Sequence, residues 1–128
     1  MSDEVAFLTA VTSYVGAHGL GTVGTDLFYN YFPGDPRDVV VIMGGGGPPH
    51  HSDKTHRRGL SVQVRNQDSA EALTKINSLR ALFDDKWGRL GTSDFAGRFT
   101  AAGELGPPVI DAAQDTVYNS NHVFVSSQ

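Results

Sequence analysis

The sequence predicts an α+β fold: a mainly antiparallel sheet with two helices packed on one face and a long loop after the central strand. Three observations carry this. Two segments, residues 3–18 and the stretch opening at Asp68, repeat apolar residues every three to four positions behind recognisable helix starts. Around them lie β-branched or alternating runs at 39–43, 60–65 and 117–125. No regular strand–helix alternation exists to build a parallel sheet. With 128 residues, 39% hydrophobic and 19% charged, the chain suits one globular domain spanning 1–128.

Taken in order, Val5, Leu8, Val11 or Thr12, and Val15 form the first apolar stripe, with Ser2 as N-cap and Asp3 and Glu4 in the dipole-favoured first turn. Gly19 supplies the left-handed residue that stops this helix. Residues 25–32 read as a strand closed by the corner Pro33-Gly34-Asp35-Pro36. In such a strand Phe28 and Phe32 share one face and Tyr29 and Tyr31 the other. Either both faces pack within the monomer or one is left for a partner.

Val39-Val40-Val41-Ile42-Met43 reads as a strand buried on both faces in the middle of a sheet. Gly44-Gly45-Gly46-Gly47-Pro48-Pro49-His50-His51 then combines backbone freedom with missing donors, so residues 44–58 are expected to form a long, mobile loop. Leu60, Val62 and Val64 alternate with Ser61, Gln63 and Arg65, the pattern of a strand with one packed face and one polar face open to contact or water. Asp68-Ser69-Ala70-Glu71 has the form of a capping box. Ala72, Ile76, Leu79 and Phe83 continue it as a stripe flanked by Leu73 and Leu82, ending near Asp85 or Lys86, with Lys75 and Arg80 outward. Beyond Trp87, Phe95 and Phe99 mark one strand, Pro107-Pro108 a turn, Val109-Ile110 a short apolar piece, and 117–125 the last strand.

Charge and composition narrow the function. A net charge of −4 argues against broad binding to a phosphate backbone, and the absence of cysteine removes disulfides, thiolate metal sites and cysteine nucleophiles. The longest apolar run is far shorter than a membrane span, and the Ser2-Asp3-Glu4 opening is unlike an export signal, so a soluble protein without membrane contact is expected. His50, His51, Asp53 and His56 crowd seven residues and are ligand types for zinc. They follow four glycines and two prolines, however, and lack H-E-x-x-H spacing, so a polar loop explains them without a metal. The glycine run lacks the Gly-Lys-Ser/Thr of a phosphate loop. Lys54, His56, Arg57 and Arg58 form a basic cluster suited to an acidic partner or a phosphate, without the aromatics that would stack bases. No catalytic residue, metal or cofactor is expected.

Gly24-Thr25-Asp26-Leu27-Phe28, Gly46-Gly47-Pro48-Pro49, and Leu60-Ser61-Val62-Gln63-Val64-Arg65 followed by the Asp68 helix occur in an order and spacing that resemble the minor capsid and tail-terminator proteins of long-tailed bacteriophages. The resemblance covers residues 1–86. It implies a structural virion protein at the tail–neck junction, made in the host cytoplasm. It also implies a homo-oligomeric ring, typically a hexamer, with the tail tube below, a neck or head-completion protein above, and a lumen through which genome DNA passes without specific binding. No catalysis is implied. Where family members usually continue the Gln-Val-Arg strand, this chain turns to Asn66-Gln67, which predicts an earlier strand end. The expected interface is Gly44, Gly45, Gly46, Gly47, Pro48, Pro49, His50, His51, Asp53, Lys54, His56, Arg57 and Arg58, with Tyr29 and Tyr31. In a ring, so long a loop would meet a neighbouring subunit or the adjoining ring, with Arg57 and Arg58 pairing to acidic groups there. Competing readings are a neck adaptor of the same virion region, a metal-dependent hydrolase using residues 50–56, and a small monomeric binding module.

Overall fold

The computed structural model describes residues 3–44, 50–51, 55–84, 87–90, 95–101 and 103–127. Its elements run α1 (Asp3–Ala17), β1 (Leu27–Tyr29), β2 (Val39–Gly44), β3 (His50–His51), β4 (Thr55–Asn66), α2 (Ser69–Leu82), β5 (Trp87–Arg89), β6 (Ala96–Ala101), β7 (Val109–Ile110) and β8 (Thr116–Ser127). The strands form a curled sheet in the order β1-β2-β4-β8-β6-β5, with β3 beside β4 and β7 beside β8. Among the described strands β1 and β2 pair in parallel and the other ladders are antiparallel. The predicted α+β class therefore holds.

Helix α1 ends as its sequence dictates. Gly19 takes φ 76°, and the N–H groups of Gly19 and Leu20 bond the carbonyls of Gly16 and Val15, the paired bonds of a Schellman motif. The expected N-cap, Ser2, lies outside the described residues. Helix α2 is capped by Asp68, whose carboxylate accepts from the N–H groups of Ala70 at 2.9 Å and Glu71 at 3.4 Å, a contact worth about 1 kcal/mol. It stops at Leu82, a turn earlier than the periodicity predicts, with Phe83 as C-cap.

Strand register sorts the side chains into two faces. Val40, Val64 and Tyr118 stand opposite one another across β2, β4 and β8, as do Ile42, Val62 and Ser120. This face is covered by both helices: Phe7, Leu8, Val11 and Val15 of α1 and Ala72, Ile76 and Leu79 of α2 join Leu60, Val62, Val64 and Phe124 in one buried core. At its centre Phe99 lies 4.6 Å from Phe83 and 4.8 Å from Phe124, and Phe124 lies 5.3 Å from Phe7. Such tilted ring pairs add to the area they bury.

The opposite face follows a different plan. Val39 and Val41 are also buried, as expected for β2, although β2 lies next to the edge strand rather than mid-sheet. The expected strand over residues 25–32 stops at Tyr29 because Asn30 takes φ 51°, where its N–H bonds the Ile42 carbonyl and its side chain accepts from the Gly44 N–H. Residues 31–37 then turn across the sheet. Arg65 secures them, donating to the carbonyls of Pro33 (2.5 Å), Pro36 (2.9 Å) and Arg37 (2.8 Å) while its guanidinium lies 4.8 Å from the Phe32 ring. Strand β4 ends at Asn66, in line with the Asn66-Gln67 departure, and the Asn66 side chain accepts from the Asp68 N–H.

Candidate functional site

The described residues of the segment expected to form a loop over 44–58 are paired in strands. His50 and His51 form β3, in register with Arg57 and His56, and β4 already begins at Thr55. Cross-strand pairing thus supplies the backbone partners that composition alone did not promise. Gly45, Gly46, Gly47, Pro48 and Pro49, and likewise Asp53 and Lys54, lie outside the described residues. Among the described residues no group of three or more His, Cys, Asp or Glu is placed to hold a metal.

Strand alternation divides the two arginines. Arg57 projects from the face opposite the helices and is exposed. Arg58 points to the core face, where its guanidinium lies 5.5 Å from the Phe7 ring and 5.2 Å from the Phe95 ring, a cation–π arrangement that also seals the end of the core. Arg57 is therefore the member of the pair presented outward. The tyrosines separate as well, correcting the shared face expected of them: Tyr29 packs against the core, while Tyr31 is 60% exposed and meets Phe28 edge-on at 5.6 Å. The break at Asn30 is the cause.

On the open face, register places Arg57, Val125, Arg98 and Trp87 in one row across β4, β8, β6 and β5, with Arg89 two residues along β5. Gly59, Val123 and Thr100 make the next row, and Ser61 with Asn121 and Gln63 with Asn119 follow. No described strand position on this face is a carboxylate. Residues 103–109 border a groove of about 540 Å³ over Gln63, Asn119 and Asn121, with Pro107 and Val109 in its wall. Val109 and Ile110 are 65% and 54% exposed, an apolar pair on a short edge strand.

Carboxylates gather where β4 ends. Asp26 accepts from the Thr22 N–H, Asp38 from the Gln67 N–H, and Asp111 from the N–H groups of Ala113 and Asp115. Asp115 is buried and paired in a fork with Arg37, whose Nε donates at 3.1 Å; this hydrogen bond holds the Asp115 carboxyl below the usual carboxylate range. A second groove, of about 530 Å³, runs between α2 and the ends of β2 and β4, over Leu20, Val40 and Val64. Asp26, Asp38, Glu71, Lys75 and Arg65 are its charged lining residues.

Two polar clusters were not foreseen. Arg65, on the strand face read as open to contact or water, instead ties the 33–37 turn, whose carbonyls need donors. The other is Arg80, expected to face outward, which donates from Nη1 to Ser120 Oγ at 2.7 Å and from Nη2 to the Gly103 carbonyl at 3.1 Å. Ser120 Oγ in turn shares a hydrogen bond of 2.8 Å with His122 Nε2. His122 is fully buried against Phe83, and its Nδ1 has no hydrogen-bond partner among the described residues. Burial, then the Arg80 charge, lowers its pKa to about 4, against a smaller opposing effect of Asp84.

A sequence model of the bacteriophage tail terminator protein family matches residues 14–115, from the last turn of α1 to the residue before β8. The chain belongs to that family. It is thus a structural tail protein of a phage, a component of the virion that interacts with other tail and head components. A solved structure 14% identical to this chain, covering 97% of it and 92% of the other, superposes with a TM-score of 0.54 and shows the same fold. A search of curated proteins gives no match. No helix among the described residues is long and apolar enough to cross a membrane.

Proposed function

We propose that this chain is the ring-forming terminator itself: identical copies close into a ring, six by family resemblance, that caps the tail tube and joins it to the neck beneath the head. The family match over residues 14–115 carries this reading. Heterologous contacts between identical subunits either close or run on as a filament, so a cyclic assembly suits a part that must end a tube. The surface supports it. Exposed Val109 and Ile110 on β7 and exposed Tyr31 beyond β1 sit at strand edges, where unsatisfied apolar groups favour a partner.

In this reading residues 44–58 form part of the contact, from Gly44, Gly45, Gly46, Gly47, Pro48 and Pro49 through His50, His51, Asp53, Lys54 and His56 to Arg57 and Arg58. Arg57 supplies the outward charge, while Arg58 steadies the strand that presents it. The chain acts by shape and charge, without a cofactor, and genome DNA passes through the ring without specific binding.

A nonsense mutation in the gene tests the assignment. The expected result is DNA-filled heads accumulating beside unattached tails of unregulated length, with joining restored when the purified protein is added to the lysate. Joined, infectious particles formed without the protein would contradict it.

A further inference from the structure

We propose that neighbouring copies meet head to tail through charge: the arginine end of one copy's open sheet face, led by Arg57, docks at the acid-rimmed groove between α2 and the ends of β2 and β4 in the next. This rests on the ring reading above and names the partner of its basic segment as a second copy of this chain.

The two surfaces differ in chemistry and lie apart. Arg57, Arg89 and Arg98 share one end of a face whose described strand positions include no carboxylate, although the chain as a whole carries −4. Eight residues along β4 from Arg57, about 25 Å at the usual rise per residue, Arg65 marks the other end. There Asp26, Asp38 and Glu71 line the groove with two cations, Lys75 and Arg65, the Arg65 guanidinium being engaged by the carbonyls of the 33–37 turn. A heterologous contact requires such a pair of unlike, complementary patches on separate sides of one molecule.

The groove also suits its occupant in shape. Its floor of Leu20, Val40 and Val64 is apolar and its rim anionic, so an arginine can lie with its methylenes along the floor and its guanidinium among carboxylates. Duplex DNA is the less favoured partner for the arginine end, because a surface that gripped phosphates would slow a genome passing through the lumen, and the net negative charge opposes it.

The test is a charge swap. Arg57→Glu and Glu71→Arg, both at exposed positions, are made singly and together, and mass is followed by sedimentation velocity with and without isolated tail tubes, with thermal melts to show that each variant folds. Each single reversal is expected to raise the concentration for half-assembly about tenfold or more. The double variant, or an equimolar mixture of the two singles, regains assembly, and raising the ionic strength from about 0.05 to about 0.5 M weakens the wild-type ring. Single variants that assemble like wild type, or a swap that restores nothing, overturn the proposal. A wild-type protein that stays monomeric with and without tubes overturns the ring reading beneath it. Charge-insensitive assembly together with Arg57-dependent binding of duplex DNA reassigns the arginine end to nucleic acid.

Discussion

Gly97→Ala is expected to destabilise the protein by about 3 kcal/mol and to abolish its incorporation into virions at 37 °C. Gly97 stands opposite Ser126 in the β6–β8 ladder, where the Phe124 ring passes over its Cα. A Cβ there would lie 2.3 Å from the Val125 carbonyl oxygen, 2.8 Å from Phe124 Cζ and 3.0 Å from Ser126 Cα. Two of the three obstacles are backbone, so no rotamer change relieves the contact. The strands would have to separate, and with them the stack of Phe7, Phe124 and Phe99. Gly88→Ala, one strand away with nothing within 4 Å of the new methyl, provides the control and should unfold close to wild type. Urea unfolding of the two variants makes the comparison; equal midpoints would show that β6 does not bind β8 as described.

Lowering the pH from 7 to 5 is expected to remove a large share of the stability through one buried imidazole. His122 in the folded protein takes up a proton only near pH 4, whereas the same side chain in the unfolded chain does so near 6.5. Between those values the unfolded state binds more protons, so stability falls as pH drops from about 6.5 toward 4. The full loss across that window is about 3 kcal/mol. Asp115 adds to it at lower pH: its depressed pKa makes the Arg37 pairing a contribution that is present at neutral pH and lost as pH falls through the folded-state value. Denaturant midpoints measured from pH 7 to pH 4.5 for the wild type and for His122→Asn separate the two groups. The variant should start less stable and show a flatter profile above pH 5; an unchanged slope would rule out His122 as its source.

How much of this was legible in the sequence depended on how local the cause was. Both helices, the Gly19 stop and the Asp68 cap were readable because each rests on residues within one turn of one another. The alternation at 60–65 and the apolar run at 39–43 made two adjacent inner strands, β4 and β2, readable for the same reason. Tertiary hydrogen bonds are what escaped. Strand β1 is short because Asn30 bonds to Ile42 and Gly44, twelve or more residues away. Arg65 and Arg80 are polar at positions that read as outward, yet each closes carbonyls or a hydroxyl brought near only by folding. His122 looked like one more alternating residue in a final strand, and nothing local marked it as buried.

The candidate contact residues show the same limit. The basic cluster was visible, but strand pairing at 50–51 and 55–58 decides which arginine faces outward, and pairing depends on β8 as well as on the segment itself. The family resemblance drew on residues 1–86 and the family match reaches Asp115, while β6 and β8 carry Arg98 and Asn121 onto the open face of the sheet.

Electron cryo-microscopy of the intact virion tests the central claim most directly. A closed ring of copies of this chain, seated between the last ring of the tail tube and the neck, with Arg57 directed at the next subunit, is the predicted result. A virion whose tail–neck junction is built from other proteins, with this chain absent or placed elsewhere, would contradict it.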